Sequence, residues 1–196
     1  AIPRFGKDVL ISIDTTKYDV ALQALDHGVH IIEDVSGLQK TPEMADLAAS
    51  YKAAYLVMHS QGSPQDMQDN PHYEHAVRDI VDFLAQQTTY LQQKGIEYIM
   101  VDPGIGFGKT LDHNLQIIAQ LDKVVELGFP VLLGASRKSM FAQLLDHRPV
   151  EDRLAGTLAA HYHALLKGVR ILRVHDVQEA SDSVRVFEAL QAAGSI

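Results

Sequence analysis

The sequence predicts an α/β fold built on parallel strands, and three observations support that prediction. The 196 residues are 46% hydrophobic and 21% charged, which is enough apolar material to fill the core of a single domain spanning residues 1–196. Short β-branched runs alternate with longer stretches of helical periodicity, the pattern of βα units around a parallel sheet. Each run also stays apolar until a polar residue arrives at its end, as expected for strands that are buried on both faces.

Six βα units follow one another along the chain. The predicted strands are six short apolar runs, at residues 9–14, 30–35, 54–59, 98–102, 130–134 and 170–175. The predicted helices are the periodic stretches that follow them, at residues 17–26, 42–52, 73–94, 111–127, 150–166 and 177–192. Four of these helices are followed by a glycine, which a left-handed C-terminal cap favours: Gly28, Gly95, Gly128 and Gly168.

The polar residues at the strand ends favour one of two possible arrangements. The hydrophobic pattern alone fits both an open doubly wound sheet and an eight-stranded barrel. An open sheet concentrates polar groups at one or two strands, whereas all six strands end in them here: Asp14, Glu33 with Asp34, His59, Asp102, Ser136 with Arg137 and Lys138, and Arg173 with His175. We therefore expect an incomplete TIM (β/α)8 barrel with six of its eight βα units.

The composition argues against several function classes. The 17 basic and 25 acidic residues give a net charge of −8, which disfavours nucleic-acid binding. No apolar run approaches the roughly 20 residues of a membrane-spanning helix, and the first residues lack the apolar core of a signal peptide. The absence of cysteine excludes disulfides and a cysteine nucleophile and fits a reducing compartment, so we expect a cytoplasmic protein. The first residue is Ala1 rather than Met, which indicates a missing start.

The most specific segment is Asp102-Pro-Gly-Ile-Gly-Phe-Gly-Lys-Thr110, in which a carboxylate at a strand end precedes three glycines and a lysine. A P-loop requires a glycine five positions before Gly108, where this chain has Pro103. The glycines also lack the Gly-x-Gly-x-x-Gly spacing of a dinucleotide fingerprint. A plain surface loop is an alternative, but a carboxylate after a buried strand indicates a hydrogen bond to a ligand.

Two later segments carry cations. The run Gly134-Ala-Ser-Arg-Lys-Ser139 places two cations and two hydroxyls after a buried strand, where loops of parallel folds bind ligands, although a solvated loop is an alternative. In Leu172-Arg-Val-His-Asp176, Arg173 and His175 alternate on a strand and are expected on the same side. A buried charge needs a partner, so Arg173 meets either an anion or an internal carboxylate.

Taken together, these segments resemble dihydropteroate synthase, in the family's order and over nearly the whole chain. The matching motifs are Ile13-Asp14-Thr15, Met58-His59 followed by Gly62, Asp102 to Lys109, Ser136-Arg-Lys-Ser139, Arg153-Leu-Ala-Gly-Thr157 and Arg173-Val-His-Asp-Val177. The resemblance implies a TIM barrel that joins p-aminobenzoate to 6-hydroxymethyl-7,8-dihydropterin pyrophosphate and releases pyrophosphate. It also implies Mg²⁺ as a cofactor and a homodimer.

The resemblance assigns the pterin to carboxylates on three strands. Asp102 would bind the amino-pyrimidine edge of the ring, with Asp14 supporting the ring from another strand and Glu33 as a third binding residue. A fixed carboxylate accepts two parallel donors and discriminates against rings that lack them.

Catalytic roles fall to three cationic or titratable residues. Lys138 would hold the pterin carbonyl side and the approach of p-aminobenzoate, and Arg173 would stack on the pterin while meeting the anion. His175 would help to bind the departing pyrophosphate, with Val174 as a binding residue between them. Two further residues would border the p-aminobenzoate pocket: Phe107 and Ser139.

The sequence departs from the family pattern in two ways. The family's first two βα units have no counterpart here, so its usual Mg²⁺-binding Asn is absent, and we assign no metal ligand. Glu33 stands where the family usually has Asn; an ionised Glu only accepts hydrogen bonds and adds negative charge beside Asp14 and Asp102. Two alternatives follow, a non-catalytic pterin-binding remnant and, less favoured, a methyltetrahydrofolate methyltransferase. We also expect negligible turnover from these 196 residues alone.

Overall fold

The computed structural model describes residues 9–62, 67 and 69–194, which form two compact units. The first unit comprises the described residues up to Ser60 together with 78–104. The second comprises the described residues of 61–77 and those from Ile105 onward.

Four parallel strands form the sheet of the first unit. They lie in the order of the sequence: β1 (Ser12–Asp14), β2 (Ile31–Asp34), β3 (Ala54–Met58) and β4 (Ile99–Asp102). The register pairs Asp14 with Glu33, Glu33 with Leu56, and Met58 with Asp102. Leu56 and Met58 are two residues apart on β3 and therefore point to the same side. Asp14, Glu33 and Asp102 consequently share one face of the sheet.

The opposite face of this sheet forms the core of the first unit. Ile32, Tyr55 and Val57 project from it and are fully buried. Three helices belong to the unit: α1 (Tyr18–Asp26), α2 (Met44–Tyr51) and α3 (Ala76–Gln93), the first two residues of α3 falling in the second unit. Helix α3 buries one stripe at helical spacing: Ile80, Leu84, Thr88 and Leu91.

The second unit has a two-stranded parallel sheet and mostly helical surroundings. Its strands are β5 (Leu132–Leu133) and β6 (Ile171–Leu172). Its helices are α4 (Leu111–Ala119), α5 (Leu121–Val125), α6 (Ser139–Leu144), α7 (Leu154–Leu166) and α8 (Val177–Ala193), with a 3₁₀ turn at Val150–Asp152. Helix α7 packs against α4 and α8. Gly156 permits a close approach to α6, since a Cβ there would lie 2.9 Å from Phe141.

The predicted elements are found in their predicted order, with differences in length. Every predicted strand is present but shorter, and β5 and β6 have two residues each. The predicted helix 111–127 breaks at Gln120, whose backbone leaves the helical region (φ −118°, ψ 31°). Helix α6 was not predicted, because six residues are too few to show a period. All four cap glycines have positive φ, between 83° and 93°.

In the described part of the chain, no helix combines the length and the apolar character that crossing a lipid bilayer requires.

Candidate active site

The predicted pterin-binding carboxylates lie on one face of the first unit. Asp14 and Glu33 are direct neighbours in the register of β1 and β2, and Asp102 ends β4. Asp14 is exposed and Glu33 half-buried. Three strand spacings separate β1 from β4, roughly 14 Å along the sheet. Like charges directly opposite one another destabilise a sheet, so this face favours hydrogen-bond donors or a positive charge as its partner.

Asp102 is the most confined of these carboxylates. Its residue is 6% exposed, and its Oδ1 accepts the backbone N–H of Gly104 at 2.7 Å. Its backbone carbonyl accepts the N–H of His59 at 3.0 Å, and the His59 ring packs edge-on against Phe83 with centroids 5.0 Å apart. The carboxylate is therefore held in one orientation at the strand end, as a ligand acceptor requires.

Asp34 differs from the expectation that it joins the polar ring with Glu33. It projects to the opposite face of β2 and is only 1% exposed. Its Oδ1 accepts the N–H and the hydroxyl of Ser36 at 2.9 and 2.6 Å, and its Oδ2 accepts Leu38 N–H at 2.7 Å and the Tyr55 hydroxyl at 3.1 Å. Burial, with the charge of Asp34 adding to it, raises the pKa of Tyr55 far above its ordinary value. Asp34 therefore organises the turn after β2 and the core beneath it.

The glycine-rich loop of the second unit holds Phe107 beside Lys138. The Nζ of Lys138 lies 4.3 Å from the centroid of the Phe107 ring, a cation–π contact. Gly106, with φ +81°, passes so close to Lys138 that a Cβ would lie 3.3 Å from the lysine Cδ. Lys109 folds back and donates from Nζ to the Phe107 carbonyl at 3.0 Å. The predicted neighbours Phe107 and Lys138 are thus brought together within this unit.

Asn114, which was not among the predicted site residues, fixes the shape of that loop. Its Oδ1 accepts Gly106 N–H at 2.8 Å, and its Nδ2 donates to the Thr110 carbonyl at 2.8 Å. The residue is 4% exposed. Thr110 caps α4 by accepting the N–H of His113, whose ring accepts the Thr110 N–H in return. The capping pattern at Thr110 agrees with the predicted helix start at residue 111, but nothing local predicts that Asn114 turns back to Gly106.

Arg137 was expected among the cations of the site, yet its contacts are internal. Its backbone is left-handed (φ 56°), which costs a non-glycine residue about 1 kcal/mol or more. Its N–H donates to Thr157 Oγ1 at 3.0 Å, and its carbonyl accepts from the guanidinium of Arg153 at 3.0 Å. Its side chain forms a two-pronged ion pair with Asp176. The hydrogen bond from the Arg137 guanidinium holds the pKa of the Asp176 carboxyl below its ordinary value.

These contacts explain the motif Arg153-Leu-Ala-Gly-Thr157. Thr157 Oγ1 accepts from Arg137 N–H and donates to the Arg153 carbonyl at 3.0 Å, and Arg153 donates to the Arg137 carbonyl, so residues at the start of α7 bind both backbone polar groups of Arg137. These hydrogen bonds fix the backbone of Arg137 and thereby position its two neighbours, Ser136 and Lys138. The Arg153 and Thr157 side chains therefore support the loop that carries Lys138.

The remaining predicted residues follow β5 and β6. Ser139 is exposed and begins α6, and Arg173 and His175 are exposed beyond the end of β6. Because β6 ends at Leu172, the strand alternation that predicted Arg173 and His175 on one side does not apply to them. The N–H of Arg173 still donates to the Leu133 carbonyl at 3.1 Å. The backbone N–H of His175 and its Nδ1 both meet Ser136 Oγ, at 3.2 and 2.9 Å.

Val174 lies in a different environment from its two neighbours. It lines a groove of about 650 Å³ between the end of α7, β6 and α8. The lining mixes apolar residues such as Val184 and Phe187 with the charged Arg170 and Glu188, and it includes none of the other predicted site residues. The structure thus separates Val174 from the polar side chains of Arg173 and His175.

The described residues do not form a ready metal site. Among them, no group of three or more His, Asp or Glu side chains lies close enough together to hold a metal ion. These residues therefore do not fit a Mg²⁺ ion that is held by protein side chains alone.

Comparison with known proteins gives a consistent picture. A family profile described as pterin binding enzyme matches residues 1–175. The dihydropteroate synthase of Haemophilus influenzae is 40% identical over 184 residues, which cover 93% of this chain and 66% of that protein. The corresponding protein of Escherichia coli K12 is 39% identical over 188 residues, covering 95% and 66%. This chain therefore spans about two thirds of the length of the curated relatives it matches.

Solved structures agree with the sequence relatives. The crystal structure of dihydropteroate synthase from Thermus thermophilus in complex with 4-aminobenzoate matches with a TM-score of 0.90 at 41% identity, covering 93% of this chain and 75% of that one. The structure of the same protein in complex with 6HMPPP also gives 0.90 at 41% identity, covering 93% and 73%. The predicted fold class, an α/β fold of the TIM-barrel type with part of its βα units, is confirmed.

Proposed function

The chain belongs to the pterin-binding enzyme family, as its sequence motifs led us to expect, and we propose that it is a dihydropteroate synthase of folate biosynthesis. The proposed reaction joins p-aminobenzoate to 6-hydroxymethyl-7,8-dihydropterin pyrophosphate. The matched range of the family profile includes every predicted site residue, from Asp14 to His175. Relatives crystallised with 4-aminobenzoate and with 6HMPPP support both substrates.

The shared face of Asp14, Glu33 and Asp102 is the observation that carries the proposal. Asp102 accepts two parallel N–H donors from the amino-pyrimidine edge of the pterin, because its carboxylate is already oriented by Gly104. Asp14 and Glu33 add negative charge along the same face. Negative charge on this face also opposes the positive charge that develops on the pterin as its leaving group departs.

The second unit supplies the residues proposed for the leaving group and the second substrate. The bond between the pterin methylene carbon and the pyrophosphate oxygen breaks, and its electron pair leaves with pyrophosphate. The amine lone pair of p-aminobenzoate then bonds to the methylene carbon, and the amine loses one proton to solvent. Arg173 and His175 receive the negative charge of the pyrophosphate, and Lys138 guides p-aminobenzoate, with Phe107 and Ser139 at the edge of its pocket.

Three features of organisation belong to the proposal. Residues 1–196 act as one domain, which the family match across both units supports. The protein forms a homodimer, as the resemblance implies, and works in the cytoplasm, as the lack of cysteine favours. Light scattering coupled to size-exclusion chromatography measures the dimer directly, and a monomer at all concentrations would contradict it.

A non-catalytic pterin-binding protein is the second candidate. Glu33 favours it, because an ionised carboxylate cannot donate to the ring as an amide does.

Calorimetric titration of the chain with the pterin pyrophosphate tests the proposal. We expect binding by the parent chain and a Kd about 30-fold higher for Asp102→Asn, equivalent to about 2 kcal/mol. The matched control is Asp19→Asn, an exposed carboxylate on α1, which leaves Kd unchanged. No binding by the parent, or equal Kd for both variants, contradicts the proposal.

Turnover distinguishes the two candidates. Chromatographic detection of dihydropteroate, with both substrates and Mg²⁺ present, would establish the synthase and overturn the expectation that two further βα units are required. Pterin binding with no product would support the non-catalytic candidate for these 196 residues.

A further inference from the structure

Ser136 and His175 make two contacts through a single hydroxyl oxygen. Ser136 Oγ accepts the backbone N–H of His175 at 3.2 Å and lies 2.9 Å from Nδ1 of the same histidine. Ser136 is buried, at 6% exposure, whereas His175 is exposed. The two residues come from different loops, one after β5 and the other after β6.

The donors and acceptors of this pair fix where the imidazole proton lies. The backbone N–H can only donate, so it occupies one lone pair of the serine oxygen. If Nδ1 also donated, the buried serine hydroxyl would need an acceptor elsewhere, and among the described residues Ser136 Oγ has no other hydrogen-bond partner. An unmet buried hydroxyl costs about 1–3 kcal/mol. The arrangement that satisfies every group has Ser136 donating to Nδ1, which leaves the proton of neutral His175 on Nε2.

We infer that Ser136 is a positioning residue that holds His175 as the Nε2–H tautomer, with that N–H facing outward as a donor to phosphoryl oxygens. Nε2 is the ring nitrogen that does not contact Ser136, and the His175 residue is exposed. The ligand half of this inference rests on the proposed function, in which pyrophosphate is the leaving group. The tautomer half rests only on the Ser136 geometry.

The neighbouring residues keep both partners of this hydrogen bond in place. Arg137, directly after Ser136, is held by Thr157 and Arg153, and Asp176, directly after His175, pairs with Arg137. The two loops are thus joined twice in adjacent positions. Ser136 Oγ and the His175 ring are consequently presented to each other without a search over loop conformations.

Nitrogen-15 NMR of histidine-labelled protein tests the tautomer, at about pH 9, where histidine is neutral. We expect the His175 Nδ1 signal at the unprotonated position and Nε2 at the protonated one. In Ser136→Ala the two signals move toward a mixture of tautomers. Ser136→Thr retains the hydroxyl and restores the parent spectrum. Ser181→Ala, an exposed serine on α8, is the matched control and leaves the His175 signals unchanged.

Titration of the same proteins with inorganic pyrophosphate tests the ligand. We expect about tenfold weaker binding for Ser136→Ala than for the parent, the loss of roughly one oriented hydrogen bond, with recovery in Ser136→Thr. A protonated Nδ1 in the parent spectrum overturns the inference, as does measurable pyrophosphate binding that is equally tight in the parent and Ser136→Ala. The parent tautomer together with no pyrophosphate binding contradicts the proposed function and supports the positioning role of Ser136.

Discussion

The two units hold their predicted site residues by different means. In the first unit, Asp14, Glu33 and Asp102 stand on strands, and the register of four paired strands decides which face each side chain takes. In the second unit the strands are only two residues long, and Lys138 and His175 follow them on loops. Those loops depend on hydrogen bonds from Asn114, Ser136, Thr157 and their neighbours.

The difference shows which interactions each half of the chemistry depends on. Backbone pairing in the first unit resists loss of any one surface side chain. The second unit depends on a few buried polar groups, each of which satisfies a backbone donor or acceptor, so removal of one leaves another unmet. Substitutions that touch neither the backbone pairing nor these groups are expected to have small effects.

The largest effect is expected at Asp34. Asp34→Ala leaves four donors without their charged acceptor, and we expect the free energy of unfolding to fall by about 3 kcal/mol or more. Glu33→Ala, the adjacent residue on the open face, should change it by less than about 1 kcal/mol. Urea denaturation measures both, and equal losses would contradict the separation of the two faces of β2.

A second, smaller loss is expected at Thr157 in the second unit. Thr157→Val keeps the shape of the side chain but removes the acceptor of Arg137 N–H, so we expect a loss of about 1–2 kcal/mol. Thr157→Ser keeps the hydroxyl and should retain most of the stability. Denaturation together with amide exchange at Arg137 measures the effect. Unchanged exchange in Thr157→Val would show that the loop does not need the start of α7.

Alanine substitutions at two glycines with nearly the same φ distinguish the cost of backbone strain from the effect of a new side-chain contact. Gly106→Ala and Gly128→Ala both place a Cβ on a left-handed residue, at φ +81° and +84°, and should each cost about 1 kcal/mol. Only at Gly106 does the added carbon meet Lys138, since nothing lies within 4 Å of the Cβ at Gly128. We therefore expect weaker p-aminobenzoate binding in Gly106→Ala alone. Equal p-aminobenzoate binding in the two variants would contradict the proposed role of Lys138 in binding that substrate.

His161 on α7 gives the smallest effect, a change in pH dependence. The residue is 1% exposed, and among the described residues neither ring nitrogen has a hydrogen-bond partner. Burial lowers its pKa below the ordinary 6.5. As the pH falls, His161 is therefore protonated in the unfolded chain before it is protonated in the folded protein. The contribution of neutral His161 to the free energy of unfolding is complete above about pH 6.5 and declines as the pH falls toward the folded-state pKa.

Thermal unfolding across this pH range measures the effect of His161. His161→Phe keeps a ring without a titrating group and should flatten the acid side of the stability curve. If His161→Phe keeps the same pH dependence of stability as the parent, another group causes that dependence.

The sequence predicted the parts of the fold that repeat. Apolar runs located every strand, and Gly28, Gly95, Gly128 and Gly168 marked helix ends because only their backbones accept the required positive φ without strain. The same strand ends identified Asp14 and Asp102. These features depend on local periodicity and on the conformational preference of single residues, and both can be recognised from a short stretch of sequence.

The parts that it did not predict depend on contacts between distant residues. Asp34 and Glu33 look alike in the sequence, and only strand parity shows that one is buried. Arg137 looked like a ligand-binding cation until its partner Asp176, 39 residues away, was known. Asn114 and Thr157 carry no local signal of the backbone N–H groups of Gly106 and Arg137 that they accept.

The consecutive carboxylates of β2 have a consequence for how the strand finds its partners. If β2 paired one residue out of register, Asp34 would lie on the open face of the sheet and Glu33 on the buried face. Glu33 would then meet the N–H groups of Ser36 and Leu38 and the Tyr55 hydroxyl, which are spaced for the shorter side chain of Asp34. Such a misaligned chain would strand a negative charge in the interior and leave the Tyr55 hydroxyl without its acceptor. Asp34 thus disfavours the shifted register of β2 energetically, because its four hydrogen bonds form only in the native alignment.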